Sequence, residues 1–199
     1  MVTQIPQTRV GKLAWYVTHF PKMRHSTLVS IATTPERRVV DRNERIVAAM
    51  LILKQGIKSK EEIYPLFNLV KDENDYPLLY GSKDSEENNA LLRGYAAIAI
   101  AKYADKFINH PGRLVQSSKE YISARREILR FIPEFSNTLK EILNSVISDP
   151  VFVPKNGNTS TQYFDKFLTA LYIIDRKSAL PIIKAFSSEN EIKKQITFI

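Results

Sequence analysis

The sequence predicts an all-α domain, and three observations carry that expectation. Helical spacing of apolar residues recurs in segment after segment, while strand alternation is scarce. Proline stands at or beside many of the junctions between these segments, where it ends one helix or opens the next. And the stretch Asn89–Asp105, NALLRGYAAIAIAKYAD, is apolar on every side from Tyr95 to Ala101. A helix that is apolar all round must be covered all round. It is therefore expected at the centre, packed on both flanks by its neighbours in sequence.

Residues 1–33 read as a basic N-terminal arm and residues 34–199 as a single helical domain. Between Pro6 and Pro21 the arm carries Leu13, Trp15, Tyr16, Val17 and Phe20. Their content suits a strand and their spacing a short helix, so the arm is expected to be extended or short-helical, anchored by Trp15. Thr34-Pro35-Glu36 opens the first long helix: a cap, a proline at the first position and an acid at the positive end. It runs to about Lys54, with Val39, Val40, Ile46, Val47, Met50 and Leu53 inward, and Gly56 closes it in a left-handed conformation. Ser59 and Glu62 form a capping-box pattern ahead of Ile63, Leu66, Phe67 and Val70.

Residues 71–88, KDENDYPLLYGSKDSEEN, read as an acidic loop around one apolar island, Tyr76–Tyr80. The central helix follows and stops at Asn109-His110-Pro111-Gly112. Ser117 or Ser118 caps a helix over Lys119–Ile132, with Tyr121, Ile122, Ile128, Leu129 and Ile132 inward. Pro133 is expected to break it. Glu134–Ser148 forms another helix, with Phe135, Leu139, Ile142, Leu143 and Val146 on one face. After a loop over 154–160 comes an aromatic-rich helix, Thr161–Ile174. Arg176-Lys177-Ser178 reads as a connection to two short helices, Ala179–Phe186 and Glu189–Ile196. That makes about seven or eight helices in all.

Composition sets limits on chemistry. Apolar residues make up 44% of the 199 and charged residues 25%, enough for a core. The absence of cysteine excludes disulfides, thiolate metal sites and cysteine nucleophiles, and leans towards a cytoplasmic or other intracellular setting. No leader pattern and no long uncharged apolar run is visible, so no membrane partner is expected. The net charge of +8 is uneven. Residues 1–35 hold Arg9, Lys12, Lys22 and Arg24 without an acid, whereas residues 61–87 hold eight acids against Lys71 and Lys83. Such a field favours anionic partners, or an oppositely charged surface on a second copy.

Two stretches line up. Arg45-Ile-Val-Ala-Ala-Met-Leu-Ile-Leu-Lys-Gln-Gly56 is followed by Ile63-Tyr-Pro-Leu-Phe-Asn-Leu-Val-Lys-Asp72. Arg93-Gly-Tyr-Ala-Ala-Ile-Ala-Ile-Ala-Lys-Tyr-Ala-Asp105 repeats the Arg, the Ala-Ala and the large apolar residues that follow. The pattern resembles the helices of HEAT/armadillo-type repeats over residues 41–105, with weaker echoes at Ala124–Leu143 and Ala179–Phe186. The resemblance implies a HEAT-like α-solenoid and a binding or scaffolding role through an extended surface. An irregular multi-helix bundle fits the same helices. The acidic loop interrupts the expected tight turn, and the last third keeps no Arg…Ala-Ala signature.

No catalytic motif, metal-ligand spacing or Gly-rich phosphate loop is present. Asp72, Glu73 and Asp75 lack the spacing of a calcium loop. His110 with Asp105 forms a base and orienter only on paper, since a His before Pro-Gly at a helix end is usually a turn residue. No enzyme and no cofactor is therefore expected. Arg37, Arg38, Arg42 and Arg45 fall on neighbouring turns of one helix, and Arg125, Arg126 and Arg130 repeat that spacing on another. These stripes are the candidate sites for nucleic acid or another anionic partner. Glu36, Asp41 and Glu44 interleave with the first stripe and Glu127 with the second. Some HEAT-like proteins grip DNA through a basic concave face, and the resemblance extends that option to this chain. Trp15, Arg24, Tyr76 and Tyr80 are the candidate protein contacts. The reading that follows is a non-enzymatic interaction or scaffold protein, cellular or viral, that self-associates or binds a protein partner; nucleic acid is the alternative.

Overall fold

The computed structural model describes residues 15–34, 42–72, 86–109, 118–148 and 160–186, without the side chains of 42–43, 86–90, 160–163 and 186. The described residues are all helical apart from short connections: α1 (15–19), α2 (His25–Thr33), α3 (Arg42–Gln55), α4 (Ile63–Lys71), α5 (Glu86–Ile108), α6 (Lys119–Ser148), α7 (Ser160–Ile174) and α8 (Arg176–Phe186). Single 3-10 turns, Phe20–Lys22 and Lys60–Glu62, lead into the next elements. Thr34 closes α2, its hydroxyl donating to the Ser30 carbonyl at 2.6 Å; Pro35 and Glu36 of the expected helix start, and the segments beyond Phe186, lie outside the described residues.

The eight helices pack as a multi-helix bundle around α5. Ala96, Ala97, Ile98, Ala99, Ile100 and Ala101 are all buried, as an all-round apolar helix requires. α3, α4, α6 and α7 each pack against α5, and α7 makes the most extensive contact. The small side chains let these neighbours approach closely. Gly94 shows how closely: a Cβ there would stand 2.8 Å from Lys166 Cβ and 3.0 Å from its Cδ. Lys166 Cβ is fixed to its backbone and cannot swing aside. Gly94→Ala is therefore expected to destabilise the chain by about 1 kcal/mol net. Overpacking costs roughly 1–3 kcal/mol, offset by up to about 1 kcal/mol of helix propensity. Urea melts measure it; a stabilised variant would show that α5 and α7 are loosely apposed.

Two arginines tie the layers together. Arg45, only 1% exposed, sends its Nε into the Ala32 carbonyl in the last turn of α2 at 3.2 Å. Arg93, 3% exposed, donates from Nε (2.9 Å) and Nη2 (2.7 Å) to the Val70 carbonyl in the last turn of α4. The final carbonyls of a helix lack intrahelical partners and carry its negative pole, so a guanidinium satisfies both needs. The residues that lead the two aligned stretches thus do the same job, each closing the helix that precedes its own. The expectation that Arg45 belongs to an exposed stripe is corrected: it lies at the start of a run, Ile46 to Ala49, that is buried throughout.

Other boundaries also differ from expectation. Part of the expected arm is built into the core, since Tyr16, Phe20, Leu28, Val29 and Ala32 join the same apolar cluster as α5. In α3, Met50, expected inward, is 44% exposed, and Ile52 is buried in the core. Gly56 does close α3 at φ 74°. Ser59 does not cap α4 with its hydroxyl. Instead the Glu62 carboxylate accepts the Lys58 N–H (3.1 Å) and pairs with His25 Nδ1 (3.0 Å).

Pro133 does not break α6, which runs unbroken for 30 residues. Proline removes one backbone donor and frees the carbonyl four residues back. Here both Pro133 and Leu129 are on the exposed side of the helix, where water can satisfy that carbonyl.

Arg176-Lys177-Ser178 is likewise no connection but the first turn of α8. Asp175 caps it, accepting the Ser178 N–H at 3.2 Å, the Ser178 hydroxyl at 2.7 Å and the Ser136 hydroxyl of α6 at 3.0 Å. Burial raises the Asp175 carboxyl, but the Ser178 and Ser136 hydrogen bonds and nearby Lys140 outweigh it, so its pKa lies below the ordinary value. A depressed carboxyl stabilises the fold fully above its unfolded pKa, and that contribution is lost as pH falls through the folded value. Thermal melts are expected to show a loss below about pH 4 that shrinks in Ser178→Ala. An unchanged acid limb in that variant would contradict the role of the cap.

Candidate interaction surface

α6 buries one face and leaves the other bare. Inward, Phe131 and Phe135 stack at 5.4 Å and meet Phe67 of α4 edge-on at 4.9 and 5.7 Å. Tyr121 stacks on Phe107 of α5 at 5.5 Å. These aromatic contacts fix the rotation of the helix about its axis. That rotation turns Ile122 (48% exposed) and Leu129 (41% exposed) outward. Both were expected inside, so this is a second correction on α6.

Ile122, Arg126, Leu129 and Pro133 follow one another at intervals of four, three and four residues, and all four are exposed. Residues so spaced form one ridge along a helix. Exposed Arg125 and Arg130 flank it on either side. The acids of this half of α6 lie elsewhere. Glu120, Glu127 and Glu134, seven residues apart, make a second row that borders Arg130 and lies clear of Arg125 and Arg126. Glu127 pairs with Lys60 at 2.7 Å and Glu134 with Lys71 at 3.3 Å. Those pairs hold α6 to the start and the end of α4. The hydrogen bond and charge of Glu127 raise the Lys60 pKa, keeping the ammonium charged. Glu127 thus pairs across to Lys60 and not with an arginine of its own helix. Arg125, Arg126 and Arg130 have no carboxylate partner among the described residues.

A cavity of about 480 Å³ adjoins the N-terminal end of the ridge. Ser59, Lys60 and Glu61 form one wall, Lys119, Glu120, Ser123 and Ala124 of α6 another, and Tyr103 of α5 the floor. Burial first, then the charges of Glu61, Glu62 and Glu127, raises the Tyr103 pKa, so its phenol stays neutral. The cavity therefore offers an aromatic floor between walls on which two lysines and two glutamates balance.

The other candidate residues are scattered. Arg37, Arg38, Tyr76, Tyr80 and His110 lie outside the described residues, as does the side chain of Arg42. Arg24 is exposed at the N-terminal boundary of α2. Trp15 is half-buried against the core and stacked on His19 at 4.2 Å, so it serves packing. Among the described residues no three His, Asp or Glu side chains come together in a way that would hold a metal, and no helix is long and apolar enough to cross a membrane.

No protein-family model, curated protein or solved structure matches the chain. The chemistry of the surface therefore rests on its own residues.

Proposed function

We propose that this chain is a non-enzymatic helical interaction module that meets an anionic partner through the outer face of α6. One observation carries the reading: three arginines with no carboxylate partner among the described residues lie on or beside an exposed ridge that carries two large apolar side chains. Exposed apolar groups rimmed by charge mark interaction sites more often than single exposed leucines do. The matched roles of Arg45 and Arg93 support reading α2–α3 and α4–α5 as two copies of one helix-pair unit, 48 residues apart. A stack of such units is a scaffold that presents one face.

The test needs no knowledge of the partner. At about 50 mM salt, where charge attraction is weakly screened, the wild-type chain is expected to be retained on immobilised poly-glutamate. Arg125→Glu, Arg126→Glu and Arg130→Glu combined should abolish that retention. Co-elution of the variant with the wild type would overturn the reading. A nucleic-acid partner is the second reading, and the same three exposed arginines favour it, since guanidinium groups pair well with phosphate.

A further inference from the structure

We propose that the α6 ridge docks a single acidic amphipathic helix of a partner protein, with one aromatic side chain of that helix anchored in the adjoining cavity. The proposal deepens the interaction-module reading and rests on it.

The ridge has the form that one helix shows another. Ile122, Leu129 and Pro133 lie along one line, with Arg126 on the turn between the first two, and Ile122 to Pro133 covers about 16 Å, or three turns, at 1.5 Å per residue. Packing between helices needs side chains that interdigitate along such a line. A partner helix with leucine-like residues at matching intervals would cover Ile122 and Leu129 and remove them from water. Its flanking carboxylates would meet Arg125 on one side and Arg130 on the other, and Arg126 in the line itself. Arginine suits this place because its fork pairs with carboxylate in a fixed geometry.

The cavity extends the match. Lys119, Ser123 and Ala124 of its wall lie on α6 beside Ile122 and Arg126. Its volume of about 480 Å³ holds an aromatic side chain, and buried aromatic anchors dominate interface energetics. Tyr103 supplies an aromatic floor, while Lys60 and Lys119 are balanced by Glu61 and Glu120 on the walls, so the cavity suits a neutral aromatic anchor and leaves the acids of the partner to the arginines.

Phosphate chemistry fits less well. A nucleic-acid backbone that reached both Arg125 and Arg130 would lie across Ile122 and Leu129, placing a hydrated polyanion on apolar side chains. It would gain nothing from either of them. The amphipathic partner uses all six residues of the ridge and its flanks.

The experiment is a fluorescence-polarisation titration of the whole chain with a labelled synthetic helical peptide. The peptide carries leucines on one stripe, glutamates beside them and a tryptophan at the end that meets the cavity. A scrambled peptide of the same composition and an oligothymidylate serve as comparisons. The patterned peptide should bind at least about tenfold more tightly than the scrambled one. Leu129→Ser, an exposed change that circular dichroism can show to be correctly folded, should cost about tenfold. Ser123→Phe, which fills the cavity from its exposed wall, should cost a similar factor. Equal binding of the two peptides, or binding insensitive to Leu129→Ser, would overturn the proposal. So would oligothymidylate binding as tightly as the patterned peptide. If poly-glutamate still retains the wild type while no peptide pattern is preferred, the anionic-partner reading stands and the helical partner falls.

Discussion

Phe135→Ala is expected to destabilise the chain by about 3–5 kcal/mol, the range for removing a fully buried aromatic ring. Phe135 is completely enclosed and lies between the ring of Phe131 and the edge of Phe67. Its loss removes apolar burial, leaves a cavity that the neighbouring helices cannot close, and ends two ring–ring contacts. It also loosens what sets the rotation of α6. Phe135→Leu should recover much of the loss, because it retains most of the volume. Denaturant unfolding read by circular dichroism distinguishes the two variants. If Phe135→Ala costs less than about 1 kcal/mol, the aromatic cluster does not hold α6 in place.

The second large effect is expected at Arg93. Replacing it with alanine strips two hydrogen bonds from the Val70 carbonyl and empties the space beside the Phe167 ring, which the guanidinium faces at 5.9 Å. A buried carbonyl left without its charged donor costs about 1–3 kcal/mol. The vacated volume adds to that. A total near 3 kcal/mol corresponds to a Tm lower by about 6–12 °C for a chain of this size. Arg93→Lys tests the geometry separately from the charge. A lysine places one ammonium where two parallel N–H groups stood, so it should restore only part of the stability. Full restoration would mean that charge at the end of α4 matters and the fork does not. Arg45→Ala should follow the same direction with a smaller effect, since a single N–H of Arg45 reaches Ala32.

These arginines show where sequence reasoning reaches and where it stops. The alignment of Arg45 with Arg93, and of the Ala-Ala pairs behind them, is visible in the chain itself. Helical spacing alone also places Arg45 one turn from Arg42 on an apparent basic stripe. What buries Arg45 is the end of α2, a contact between residues thirteen apart that no period encodes. The central helix was legible for the opposite reason. Six consecutive small or apolar residues leave no face for water, so burial follows from composition alone.

α6 is the instructive failure. A proline in mid-sequence reads as a break, and Ile122 and Leu129 read as core. The unbroken helix and its outward ridge both depend on the Phe67–Phe131–Phe135 contacts, which join residues far apart in the chain. The signal that could have found the ridge was present in the row Glu120, Glu127, Glu134. Acids seven residues apart share a face, and that face lies clear of Arg125 and Arg126 and borders Arg130. At α8, Asp175 three residues before Ser178 is a cap signal carried in the sequence.

The bundle is defined by a fully wrapped α5, and native-state hydrogen exchange resolved along the chain tests that most directly. The amides of residues 96–104 should be the slowest, exchanging only when the whole chain unfolds, with α6 amides around Ile122 markedly faster. Exchange within 96–104 as fast as in the exposed half of α6 would mean that α5 is not enclosed, and the surface described on α6 would lose its support.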